Sequence, residues 1–263
     1  MTAPAVIALT VRNLSLKFGG LVAVADMSFD VREGEVLSLI GPNGAGKTSA
    51  FNAITGYIPA AGGDILYRGL RLNGLKPNQI AAHGLVRTFQ KTSVFGGQSV
   101  LQNVLIGLHR RSRQTALGIL LGLASVRRDE IELEVRAREI LGFIGLEARS
   151  GELGAALPYG EQRLLEVAVA LAAEPTLLLL DEPVSGMNAS ETESFMRLLA
   201  RIRAQGITIL LVEHDMRMVM GVSDRVVVLN QGRIIADGPP AAIQRNPAVI
   251  RAYLGEKYAR AQG

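Results

Sequence analysis

Residues 36–54 read VLSLIGPNGAGKTSAFNAI. An apolar run short enough for a buried strand leads into a glycine-rich turn, and a helix start follows. The octet Gly41, Pro42, Asn43, Gly44, Ala45, Gly46, Lys47, Thr48 satisfies GxxxxGK[ST] in full. The chemistry needs each type at its place. Glycines let backbone N–H groups wrap a polyphosphate, Lys47 neutralises β/γ charge, and Thr48 offers a hydroxyl to Mg²⁺. Ser49 joins this nucleotide-binding set. Strand, loop and helix in this order predict a P-loop NTPase core of RecA-like α/β type.

A phosphate loop binds; hydrolysis needs acids. TLLLLDEP (176–183) supplies them, because four leucines make a buried strand that delivers Asp181 and Glu182 to its C-terminal edge. Ligands of open α/β sheets sit at that edge. Asp181 is expected to act on Mg²⁺ through its water shell, and Glu182 to polarise the attacking water. LLVEHDM (210–216) is a second buried strand ending in charge, from which His214 can reach the γ-phosphate or the water. RTFQ (87–90) places Gln90 within reach of Mg²⁺ or water, at the joint between two lobes. Phe18, in LKFGG (16–20), is positioned to stack on adenine.

Outward from these motifs the pattern is α/β. Strands are expected at Ile7–Val11, Val36–Ile40, Leu177–Leu180, Thr208–Val212, Arg225–Leu229 and Arg233–Ile235. Several are almost uniformly apolar, as strands covered on both faces are. Asn230-Gln231-Gly232 reads as a hairpin turn, which adds an antiparallel part to a mixed sheet. From about 96 to 158 helical spacing takes over, at Val100–Arg110 and Asp129–Ile144. Prolines open two terminal helices, Pro240–Arg245 and Pro247–Leu254. The expected division is one domain over 1–263, with a core of 1–90 and 159–263 and an inserted α-helical subdomain at 91–158.

The 263 residues are 48% hydrophobic and 20% charged, and a mean hydropathy of +0.25 hints at a sizeable contact surface. The absence of cysteine excludes disulfides, thiolate metal sites and cysteine nucleophiles. His83, His109 and His214 show no metal-binding spacing. MTAPAVIALT lacks the basic-then-apolar order of a secretory leader. The weakly polar run TALGILLGLASV (115–126) has twelve residues, whereas a bilayer span needs about 20. No integral membrane segment is expected. Net charge is +4, and Arg110, Arg111, Arg113, Arg127 and Arg128 bracket that run as a solvated face or one suited to an anionic membrane surface or nucleic acid.

One motif remains. LPYGEQ (157–162) opens another helix with a glycine turn, a place that suits an anion. The order phosphate loop, RTFQ, LPYGEQ, LLLLDEP and EHD resembles that of ATP-binding cassette ATPases over essentially the whole chain. GGLVAVADMSF (19–29), LPYGEQRLLEVAVAL (157–171), EHDMRMVMGVSDRVVVLNQGRIIADG (213–238) and NPAVIRAYLG (246–255) resemble the cassettes of branched-chain amino acid importers.

The resemblance implies head-to-tail pairing with a second cassette, identical or paralogous. In such a pair Tyr159, Gly160 and Glu161 meet the γ-phosphate held by the partner. It also implies Mg-ATP as the ligand, integral membrane permease subunits docking along QKTSVFGGQSVLQNVLIGL (90–108), and an indirect link to a periplasmic or extracellular solute-binding protein. The place would be peripheral, on the cytoplasmic face of the inner (plasma) membrane, with no nucleic acid involved. The function implied is ATP hydrolysis that energises uptake of branched-chain amino acids or a related small solute. The alternative is a soluble cassette acting as an assembly scaffold or on nucleic acid, although coiled-coil heptads, zinc cysteines and a second motif set are all missing. Three positions depart from the family pattern: Pro158 stands for serine, Tyr159 for glycine, and Asn188 for an aspartate of the inter-subunit loop.

Overall fold

The computed structural model describes residues 6–88, 94–108 and 124–254. They fall into two compact units. The first draws on Met1–Arg87, Thr176–Pro183 and Thr192–Gly263, and the second on Thr88–Pro175 and Val184–Glu191.

In the first unit, β3 (Val36–Ile40), β7 (Leu177–Asp181) and β8 (Thr208–Val212) are buried at every residue. Their near-continuous apolar sequences leave no face for water, so they take the centre of a sheet. β8 lies between the other two, parallel to both, with Leu210 opposite Leu37 and Leu179. β6 (Leu85–Arg87) adds to β7 in parallel at one edge. At the other edge β9 (Arg225–Asn230) pairs in parallel with β3 and antiparallel with β10 (Arg233–Gly238). Gln231 and Gly232 turn that hairpin with φ of +47° and +77°, the two left-handed residues that a tight I′-type connection needs.

A second, antiparallel sheet has the order β2-β1-β4-β5, from β1 (Ile7–Phe18), β2 (Leu21–Arg32), β4 (Gly62–Tyr67) and β5 (Leu70–Arg71). β1 runs seven residues past the expected Val11, and β2 was not expected. Asn13 and Asp26 explain both differences. They flank the Leu14–Met27 pair at φ of +50° and +57°, at two successive shifts of the β1–β2 register, and these bulges break the alternation that marks a strand. Leu9, Val11, Phe29, Ile65, Leu179 and Leu210 share one core with Phe51 and Ile54 of α1 (Lys47–Ile54) and Ile80 of α2 (Pro77–Ala82). Truncating a ring as buried as Phe51 to alanine costs about 3–5 kcal/mol. A smaller core joins Ile40, Val226 and Val228 to Val219, Ile243 and Val249. Those last three come from α7 (Met216–Val222), α8 (Pro240–Gln244) and α9 (Pro247–Leu254).

The second unit packs α3 (Val100–Leu108), α4 (Ala124–Ile144) and α5 (Tyr159–Ala172) together. α5 was expected in the core, with the helical part ending at 158; instead α5 and the segment Val184–Glu191, which runs into the start of the next helix, belong with the helices. The contact requires small residues. A Cβ on Gly107 of α3 would come within 2.7 Å of the Val169 carbonyl oxygen and 2.9 Å of Ala172 Cβ. Asn103, fully buried, pins residues 95–99: its Oδ1 accepts from Phe95 N–H, and its amide donates to the Phe95 and Ser99 carbonyls. Among the described residues, no helix is long and apolar enough to cross a membrane.

Candidate nucleotide site

β3 ends where the loop begins, and the loop has no room for side chains. A Cβ on Gly41 would stand 2.1 Å from the Leu229 carbonyl oxygen, and one on Gly46 would stand 2.5 Å from that of Ala23. Both glycines also carry left-handed φ, +153° and +105°, so here packing and backbone angle each exclude other residues. Gly46 is the N-cap of α1 and supplies no side-chain cap, and no acid stands in the first turn. The amides of Lys47, Thr48 and Ser49 therefore form a free positive helix end. Asn43, Gly44 and Thr48 are exposed, so the cradle opens to solvent.

The Lys47 ammonium donates to the carbonyls of Gly41 (2.7 Å) and Pro42 (3.2 Å). Burial lowers its pKa, while the charges of Glu182 and Asp181 raise it. Those two acids end β7. Asp181 is 1% exposed; burial pushes its carboxyl up, and the Arg87 guanidinium and Lys47 pull it down. Its Oδ2 accepts from Arg87 at 2.7 Å, whereas Oδ1 is buried with no hydrogen-bond partner. A bare buried carboxylate oxygen is costly unless a cation or water meets it. Among the described residues, no group of three or more His, Asp or Glu could hold a metal alone. Mg²⁺ is commonly held by one or two carboxylates, with phosphate and water in its remaining positions. Asp181 with Thr48 fits that pattern.

Glu182 sits at φ +49°, a strained conformation for a long side chain, fixed by its N–H donating to the Val212 carbonyl. The side chain is 22% exposed, and its oxygen lies 3.9 Å from Nδ1 of His214. Phe18 ends β1 with its ring half exposed. The first unit thus brings the phosphate loop, Asp181, Glu182 and His214 to one sheet edge. Gln90 lies outside the described residues.

Sequence reasoning missed Arg87. Its guanidinium is 6% exposed and binds Asp181, Asn52 Oδ1 (2.7 Å) and Thr55 Oγ1 (3.2 Å), over the Phe51 ring. The signal was in RTFQ, but a partner 94 residues away leaves no trace in local pattern.

In the second unit, Pro158 is the N-cap of α5, with no side-chain hydrogen bond to the first turn. The turn offers backbone N–H groups alone. Tyr159 folds its side chain back along the helix, its hydroxyl accepting from Arg163 Nη2 (2.7 Å) and Nε (3.0 Å). Its ring lies against Gly186. Glu161 pairs with Arg149 at 3.1 Å, so its carboxylate is already engaged. Asn188 caps α6 (Ala189–Ala204): Oδ1 accepts from the N–H groups of Ser190 and Glu191, and Glu191 accepts from that of Asn188. At this position the amide caps a helix.

Together, a glycine cradle at a helix start and an acid-ended strand beside it define a P-loop nucleoside triphosphatase. The family model described as "ABC transporter" matches residues 24–185, and one described as "Branched-chain amino acid ATP-binding cassette transporter" matches 233–259. The chain belongs to the ATP-binding cassette transporter family. It is 45% identical over 249 residues to the high-affinity branched-chain amino acid transport ATP-binding protein LivG of Escherichia coli K12, covering 94% of this chain and 98% of that one. BraF of Pseudomonas aeruginosa, of the same description, is 42% identical over the same shares. Among solved structures, the ADP conformation of an ABC-transporter cassette superposes with a TM-score of 0.83 at 30% identity, covering 95% of this chain and 99% of that one.

Proposed function

We propose that this chain is the ATP-hydrolysing subunit of an importer, coupling hydrolysis to uptake of branched-chain amino acids or a related small solute through separate membrane subunits. The observation that carries hydrolysis is Asp181 and Glu182, delivered side by side to the sheet edge that also holds the phosphate loop. The solute class rests on the curated relatives and on the matching tail at 233–259.

The amides of residues 43–49 and the Lys47 ammonium would hold the β- and γ-phosphates, and Phe18 would stack on the base. Asp181 and Thr48, with Gln90, would hold Mg²⁺, which when bound draws charge from the phosphate oxygens. Glu182 accepts the proton of the attacking water, and His214 steadies the water or the γ-phosphate. Tyr159, Gly160 and Glu161 of one cassette approach the other's γ-phosphate through the backbone N–H groups of their turn, in a head-to-tail pair. The cassette then works at the cytoplasmic face of the membrane, attached through its permease partners and indirectly served by a solute-binding protein.

The test is reconstitution. Purified with its membrane subunits in proteoliposomes, the chain should drive ATP-dependent uptake of leucine, isoleucine or valine, and Lys47→Ala should abolish it. ATP turnover without uptake of any such solute would sink the importer assignment and leave a plain ATPase.

A further inference from the structure

Arg87 opens the RTFQ motif but has no role assigned to it above, and it makes a buried ion pair with Asp181. Its strand β6 runs parallel to β7, with Arg87 opposite Leu179, so its side chain emerges level with Asp181, two residues further along. The pair is sealed, with side chains 6% and 0% exposed. One Nη donates to Asp181 Oδ2; the other donates to Asn52 and Thr55 at the end of α1. The Phe51 ring lies 5.5 Å from the guanidinium carbon, against one face of the fork. The planar fork is thus held at three points, which fixes the direction of the Asp181 carboxylate. With Oδ2 engaged, only Oδ1 is left without a hydrogen-bond partner.

We infer that Arg87 is a positioning residue for hydrolysis, setting Asp181 so that Oδ1 alone faces the divalent cation and tying that orientation to the helix that begins at the phosphate loop. The inference rests on the reading of Asp181 given above. It is a claim about the shape of the fork rather than its charge. Lysine has the charge without the fork: one nitrogen at the end of a flexible stem cannot hold Asp181 and Asn52 together.

Arg87→Lys in the full chain therefore separates the two. Metal-free ATP affinity should stay within about threefold of wild type, because the side chains that Arg87 braces, Asp181, Asn52 and Thr55, lie outside the cradle of residues 41–49. At saturating Mg-ATP, kcat should fall at least about tenfold with KM little changed. With Mn²⁺ as probe, the EPR line shape of the protein–ATP complex should differ from wild type, a readout that does not depend on turnover. Asn52→Ala keeps the charge pair and removes one brace, so it should shift the same spectrum and lower kcat by a smaller factor. It also serves as the test should the lysine variant not fold. A lysine variant with wild-type kcat and Mn²⁺ spectrum would overturn the inference, as would an Asn52→Ala variant with both unchanged. An equal loss of metal-free ATP affinity in the two variants would also overturn it, since Arg87 would then be holding the loop. Failure of wild type to bind ATP at all would instead strike the reading of the site.

Discussion

Nδ1 of His214 stands 3.9 Å from a carboxylate oxygen of Glu182 and 3.9 Å from one of Glu213. Neither distance is a hydrogen bond. Glu213 is fully buried and accepts the N–H groups of His214 and Asp215, whereas Glu182 and His214 both reach solvent. A water can therefore sit on the Glu182 side alone.

Glu182→Gln keeps the shape and removes the charge that draws off the water's proton. A general base contributes typically about 10²–10⁴-fold, so turnover should fall by that order while Mg-ATP still binds. Size-exclusion chromatography with Mg-ATP should then show an accumulated dimer of cassettes, and adding Gly160→Asp should dissolve it. Wild-type turnover in the single variant would remove Glu182 from the mechanism.

Lys47→Ala leaves the backbone cradle and removes its compact cation. Losing a charge-assisted hydrogen bond costs about 1.5–3 kcal/mol, roughly ten- to hundredfold in Kd. A fluorescence titration with a labelled ATP analogue measures this. An affinity within twofold of wild type would mean that the phosphates lie elsewhere.

Pro158→Ser restores an N–H and a hydroxyl at the uncapped start of α5. A serine N-cap contributes about 1 kcal/mol, so the melting temperature should rise. If this turn meets a partner's γ-phosphate, ATP-driven pairing should also strengthen. Higher stability with unchanged pairing would confine the effect to the helix.

Phe95 and Val94 are distinguished by the structure. Phe95 is 52% exposed on a loop pinned by Asn103, while Val94 packs against Gly154. Phe95→Glu should therefore spare ATPase activity of the isolated chain and uncouple it from transport in the assembly, because it places a charge in an apolar contact. Equal loss of activity in the isolated chain would show that the ring supports the fold.

What the sequence made legible was chemistry carried by contiguous residues. The loop at 41–48 and the acids at 181–182 can be read because each motif holds its own reason for its spacing. Strands β3, β7 and β8 announce themselves by unbroken apolarity. The antiparallel sheet does not, because the bulges at Asn13 and Asp26 disguise its alternation. Tyr159 is expected to meet a partner's nucleotide through its turn; the resting place of its side chain, with the hydroxyl on Arg163 four residues along, is set by a neighbour that no motif names. The extent of the helical unit was illegible for a similar reason: α5 has an amphipathic pattern that fits either neighbour, and only the close approach at Gly107 decides.

Glu191 has a further consequence. Its carboxylate accepts the Asn188 N–H at the start of α6 and lies against Gly160 at the start of α5, so one negative charge faces two helix beginnings. The field that α5 would otherwise project is damped from within. An anion arriving at that turn feels little pull at long range, and its hold must come from contact with the backbone N–H groups. Salt screens distant attraction far more than contact, so binding at this turn should be selective for fit and only weakly dependent on ionic strength.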